Sequence, residues 1–163
     1  MLKANTHGFS LIELVLTVVI LGIIAIVSLP KFFNQNTFDE RFFHDDLLSA
    51  SRYAARLATA SGCSVRLSVG GTGFQMDQDG NCNYIAPNFN TTVNRPDDNQ
   101  AFANTAVPTG LTVVSSHSAI VFRPNHRAVT SAGAAITTAT IQLNGGVNRT
   151  ITIYGDSGYA ISN

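Results

Sequence analysis

Hydrophobic and polar positions divide the chain into three regimes. The first is FSLIELVLTVVILGIIAIVSL, from Phe9 to Leu29, whose 21 residues hold one charge, Glu13. As a helix this run rises about 31 Å, the hydrocarbon thickness of a bilayer. A basic start at Lys3 before an apolar run is the pattern of an export signal. Ser28-Leu29-Pro30-Lys31-Phe32 offers no small-residue cleavage site, so the run is expected to stay on the mature protein. Gly22 weakens this helix by up to ~1 kcal/mol relative to alanine. Pro30 removes a backbone donor and is expected to kink or locally melt it. In the second regime Phe43, Leu47, Ala50, Ala54 and Leu57 recur at helical spacing, one apolar face suited to packing on a sheet. Thr37-Phe38-Asp39-Glu40 reads as a capping box with Thr37 as N-cap, and Gly62 reads as the C-cap. Arg52 and Arg56 occupy the later turns, where the helix dipole favours cations. The two regimes form one stem, apolar over 9–30 and amphipathic over 31–62, bent near Pro30.

After Gly62 the period becomes two. Val65, Leu67 and Val69 fall on one side of a strand, Gly70-Gly71-Thr72-Gly73 turns the chain, and Phe74–Asp77 returns. Further strands are expected at 111–114, 119–123, 135–143, 149–154 and 159–161, with Asn144-Gly145-Gly146 and Asp156-Ser157-Gly158 as turns. Residues 83–108, rich in Asn, Thr, Asp and Pro, read as a long surface loop of the kind that often carries function. The fold class is therefore α+β, a long kinked N-terminal helix packed on a C-terminal antiparallel β domain at 63–163. At 163 residues there is room for one domain, and 45% hydrophobic against 12% charged residues excludes a disordered, solvated chain. Ten basic side chains balance ten acidic ones, so no charge excess points to nucleic acid.

Glu13 is the anomaly, because a carboxylate among aliphatic residues costs several kcal/mol unless solvated, paired or neutralised. Either it sits near a membrane interface, or it meets a cation from another molecule, the nearest candidate being an amine freed by cleavage just upstream. At this point GFSLIELVLTVVILGIIA resembles the class III signal of type IV prepilins and type II secretion pseudopilins. The resemblance implies that a prepilin peptidase removes a leader at 1–8, cutting between Gly8 and Phe9, and then N-methylates Phe9. It implies that Glu13 pairs with the terminal amine of a neighbouring subunit, and that Gly22 and Pro30 are the helix-weakening positions. His7 departs from the Lys or Arg usual before the glycine. RYAARLATASGCSVRLSV, AIVFRPNHRAV and TITIYGDSGYAI further resemble the pseudopilin H and FimT-like branch. Within it, SGCSVRLSV and the overall size look most like the minor pilin C group of mannose-sensitive haemagglutinin (MSHA) pili.

An exported domain would meet an oxidising compartment, where Cys63 and Cys82 are expected to form a disulfide. Closing a loop of about 20 residues, it would stabilise by roughly 3 kcal/mol from chain entropy and staple helix to sheet. Two cysteines and four scattered histidines give no zinc set and no catalytic pattern, and each His is expected at the solvated surface. No metal or other cofactor is called for. Asp77-Gln78-Asp79-Gly80-Asn81 resembles the start of a calcium loop, but its glycine is too early and Asn88 stands where a Glu is needed, so a hairpin turn is the better reading. Asn90 and Asn148 begin sequons that carry no weight in a bacterial protein. Arg123, His126, Arg127 and Arg149 could gather as a small basic patch, and some FimT-like minor pilins bind DNA in this region. The mature chain is slightly acidic, so strand-edge charge is the preferred reading.

The resemblance thus implies a minor pilin that initiates or supports type IV pilus assembly, of MSHA type, and not an enzyme. A type II secretion pseudopilin or a FimT-like DNA-binding pilin is the alternative. Its partners would be the prepilin peptidase, major and other minor pilins or pseudopilins, and the inner membrane. The N-terminus would be cytoplasmic and the β domain periplasmic before entry into the fibre. Gly8→Ala is expected to leave the precursor uncut; intact-mass analysis of the membrane fraction would then find the full chain, not one starting at methylated Phe9.

Overall fold

The computed structural model describes residues 10–32 and 35–163, with side-chain surroundings for 10–25 and from 36 onward. Gly8, Phe9 and His7 lie outside the described residues. The chain divides into two units, Met1–Gln35 and Asn36–Asn163.

The first unit contains α1, Leu11–Phe32. Its opening amides are met by Ser10, whose carbonyl accepts from Glu13 N at 3.0 Å and Leu14 N at 3.1 Å. The helix is continuous through Gly22 and Pro30 as far as Phe32, so the local melting expected at Pro30 is not observed. Its 22 residues rise about 33 Å. Among the described residues no helix is long and apolar enough to cross a membrane; the described side chains of α1 stop at Ala25, short of the end of the apolar run at Leu29.

The second unit opens with α2, Gln35–Ser61. The helix begins before Thr37, so Thr37 lies inside it and the expected capping box is not formed. Glu40 turns outward to the domain instead, its carboxylate oxygens accepting from Gly146 N at 3.0 and 3.1 Å. The apolar stripe is as expected through Phe43, Leu47, Ala50 and Ala54, but ends on buried Ala58, with Leu57 only half-buried on its flank. Gly62, at φ 72°, ends the helix.

Ten strands follow: β1 (Val65–Gly70), β2 (Gly73–Asp79), β3 (Phe89–Thr92), β4 (Ala103–Asn104), β5 (Thr112–Ser115), β6 (Ala119–Phe122), β7 (Ala128–Thr130), β8 (Thr138–Asn144), β9 (Arg149–Tyr154) and β10 (Ala160–Ser162). They form two antiparallel sheets. One runs β3-β2-β1-β6-β7 with β4 also on β2; the other runs β10-β9-β8-β5. Alternation sets the buried faces: Val65, Leu67 and Val69 on β1, Ala139, Ile141 and Leu143 on β8, Ile151 and Ile153 on β9. These residues and the α2 stripe form one core, with Phe43 edge-on to Phe74 at 5.8 Å between ring centres.

The segment read as a long loop, 83–108, holds β3 and β4 and sends Val93 and Phe102 into the core. Its polar composition hid this, because β4 is too short for any periodicity to register. The strand expected at 135–143 starts at Thr138; Ala135 makes only an isolated bridge to Val129 of β7, a strand that the periodicity does not announce. Gly155 joins the two sheets, its carbonyl accepting from Ala128 N at 2.7 Å and its N–H donating to Thr137 O at 2.9 Å. A Cβ there would stand 1.5 Å from Ile136 O, whereas one at Gly71 would meet nothing within 4 Å. Gly155→Ala is therefore expected to destabilise by about 3 kcal/mol or more and Gly71→Ala by under ~1 kcal/mol, compared by urea melts.

Candidate functional site

In α1 every described side chain is exposed, including Leu11, Ile12, Leu14, Leu16, Val18, Leu21 and Ile24. Glu13 shares that exposure and sits in the first helical turn, where a carboxylate suits the helix dipole. A helix apolar on all sides is one that lipid or other helices must cover. Gly22 lies in open space, with nothing within 4 Å of the place a Cβ would take.

In the second unit Cys63 and Cys82 are joined, their Cα atoms 4.4 Å apart, so the end of α2 is tied to the chain just past β2. Beside the bridge, buried Asp79 accepts on Oδ1 from Asn88 N at 2.8 Å and Asn81 N at 3.3 Å, which shapes the turn. Asp77 faces Arg66 across the β1–β2 pair at 2.8 Å. Both carboxylates of the calcium-like stretch thus serve the hairpin, and no group of three or more metal-ligating side chains occurs among the described residues.

The Arg patch does not assemble. Arg127 precedes Ala128, whose N–H meets Gly155 just beyond the end of β9, while Arg149 starts that strand. Gly155 and Arg149 are six residues apart along an extended strand, a backbone span of about 20 Å. Arg123 and Arg127 do lie together, bracketing a tight turn in which Arg123 N donates to Arg127 O at 2.8 Å. The histidines depart from expectation at one point. His117 and His126 reach solvent, but His44 is 3% exposed, its Nδ1 2.9 Å from Asp45 Oδ1 and its Nε2 2.9 Å from Ser162 Oγ. It is a tether between α2 and the last strand, invisible in sequence because its partner is 118 residues away.

Sequence reasoning also missed the polar cluster of Arg95 and Asp46. Arg95 donates from Nη1 and Nη2 to the two Asp46 oxygens at 2.6 and 2.8 Å. Its guanidinium lies 4.5 Å over the Phe102 ring, which stacks on Tyr53 at 5.4 Å. The hydrogen bonds to Asp46 raise the Arg95 pKa above its ordinary value, outweighing the burial that lowers it. A bidentate pair of this kind is strong and directional. It clamps the 93–104 segment onto α2, and 49 residues of separation left no local signal of it.

Comparison with known proteins bears on both units. Residues 3–29 match the prokaryotic N-terminal methylation motif. No curated protein matches the chain. Two crystal structures of the type IV minor pilin FimU of Pseudomonas aeruginosa PAO1 are similar in fold, with TM-scores of 0.50 and 0.51 at 13% and 12% identity. Each covers 76% of this chain, and 91% and 87% of the FimU chains. The fold is that of a type IV minor pilin. The methylation motif begins in the expected leader and contains Glu13, Gly22 and the whole apolar run from Phe9 to Leu29.

Arg95→Met should leave Asp46, whose side chain is 6% exposed, as an uncompensated buried charge. A loss of about 3–5 kcal/mol is expected, read as a fall in the urea midpoint at unchanged m-value.

Proposed function

We propose that the chain is a minor pilin, a structural subunit of a type IV pilus and not an enzyme. The observation that carries this is the methylation motif at 3–29, with Glu13 at the head of an apolar helix exposed on every described side. Such a helix needs lipid first and neighbouring helices later. Lys3 favours a cytoplasmic N-terminus in the inner membrane, leaving the β domain on the periplasmic side. Cleavage after Gly8 by the prepilin peptidase frees the Phe9 amine, which the same enzyme methylates. In the fibre Glu13 pairs with the terminal amine of a neighbour. The pairing offsets the cost of burying both charges and fixes axial register. Apolar contact along Leu14–Leu29 supplies most of the cohesion.

Within this class the chain is an MSHA-type minor pilin. The support is SGCSVRLSV, which carries Cys63 at the junction between α2 and β1. The Cys63–Cys82 bridge and the Arg95–Asp46 clamp support a domain rigid enough to present a fixed surface to other subunits. A FimT-like role in DNA uptake is disfavoured by the separation of Arg149 from Arg123 and Arg127.

A strain lacking this gene is expected to be bald by electron microscopy. Piliation should return with the wild type and not with Glu13→Val, while the variant's β domain keeps its thermal midpoint. A deletion strain that stays piliated but loses protein export would place the chain in a secretion pseudopilus instead.

A further inference from the structure

A groove of about 560 Å³ lies between the last turns of α2 and the turn joining β9 to β10. This is within the size range of ligand sites. Arg52, Arg56 and His126 line it, and none of its lining residues is a carboxylate. The two arginines stand one helical turn apart, so both guanidiniums leave the same face of α2.

Arg52 is held in place. Its Nε donates to Ala160 O at 3.1 Å, and its two terminal nitrogens have no hydrogen-bond partner among the described residues. Arg56 makes neither hydrogen bond nor ion pair among the described residues, although it lies within reach of the same space. A guanidinium pinned through Nε presents a preset fork, the geometry that suits a carboxylate.

The rest of the groove is shaped, not charged. Gly158 has φ 63°, and a Cβ there would come within 3.3 Å of His126 O and of the Phe122 ring, so the turn lies close against the domain. His126 itself adopts φ 65°, a left-handed conformation unusual for a residue other than glycine and frequent at binding sites. Its Nδ1 lies 3.4 Å from Thr59 Oγ1, which leans the ring on the last turns of α2. Ala55, Ala60 and Ala160 add apolar lining, and Tyr159, 58% exposed, forms a wall.

We propose that this groove binds a segment of a partner protein that bears Asp or Glu beside an apolar residue. Naming that partner as a neighbouring fibre subunit rests on the function proposed above; the recognition itself does not. The negative end of the α2 dipole opposes an anion only near the last turn, so the carboxylate belongs at Arg52 and Arg56, not at Ala60. A nucleic-acid strand fits less well. Two arginines at the groove would neutralise few phosphates, and Arg149 lies at the far end of β9.

The test uses the ¹⁵N-labelled full chain in neutral detergent micelles. The probes are a blocked five-residue peptide with two glutamates around a phenylalanine, and its glutamine counterpart. The glutamate peptide is expected to shift the amides of Thr59, Gly158 and Tyr159 and to bind about tenfold more tightly than the glutamine peptide. Arg56→Gln and Arg52→Gln should each remove that advantage. Arg56 makes no hydrogen bond among the described residues, so its variant should keep the wild-type spectrum elsewhere. Equal binding of the two peptides would overturn the proposal, as would binding indifferent to both variants. Tighter binding of a single-stranded oligonucleotide at the same amides would also overturn it. Failure here, with the Glu13→Val phenotype intact, would refute the groove and leave the assembly reading standing.

Discussion

Ala50, Ala54 and Ala58 lie along one line of α2 with no exposed surface, and Phe43 and Leu47 continue that line toward the start of the helix. These small side chains and the larger pair belong to one buried core with residues of both sheets. Truncating Leu47 or Phe43 would remove contacts from both the helix and the strands. Such losses in a closed core run to about 2–5 kcal/mol, a large share of the net stability of a small domain. The polar anchors depend on the same contact. Glu40 reaches Gly146, His44 reaches Ser162 and Asp46 holds Arg95 only because the buried stripe fixes the rotation of α2.

Those anchors share a pattern. Each joins α2 to a distant segment by a side chain on the flank of the apolar stripe, and each partner lies in a turn, an edge strand or the 93–104 segment. A helix packed by apolar contact alone could slide along the sheets at modest cost. Directional hydrogen bonds at Glu40, His44, Asp46 and Arg52 remove that freedom. The disulfide adds a covalent limit at the C-terminal end of the helix. A subunit whose surface must meet others in fixed register benefits from this rigidity.

The first unit follows the opposite logic. Its apolar side chains are exposed around the helix, and the chain supplies no described cover for them. Stability of this helix therefore belongs to its environment, whether lipid or other subunits. Glu13 sharpens the point, since its cost among aliphatic residues is met by water at an interface, by a cation from outside or by protonation.

Much of this was legible in sequence because it is written in periodicity. The 21-residue apolar run, the helical spacing from Phe43 to Ala54 and the alternation in β1, β8 and β9 depend on neighbours a few positions apart, and they fixed the α+β class. The methylation motif is likewise a contiguous string. What only the tertiary structure decided depends on residues brought together from far along the chain. Glu40 resembled half of a capping box and became a tether to Gly146, 106 residues away. A polar stretch that read as a loop acquired β3, β4 and a clamp through Arg95, because Asp46 lay waiting on the helix flank. Of four basic residues that could have formed one patch, Arg149 was parted from the other three by the length of β9, and Arg52 and Arg56, read as dipole partners, came to line a groove closed by the β9–β10 turn. Local pattern sets which face of an element is buried; which distant polar group meets it is set by topology, and topology leaves no local trace.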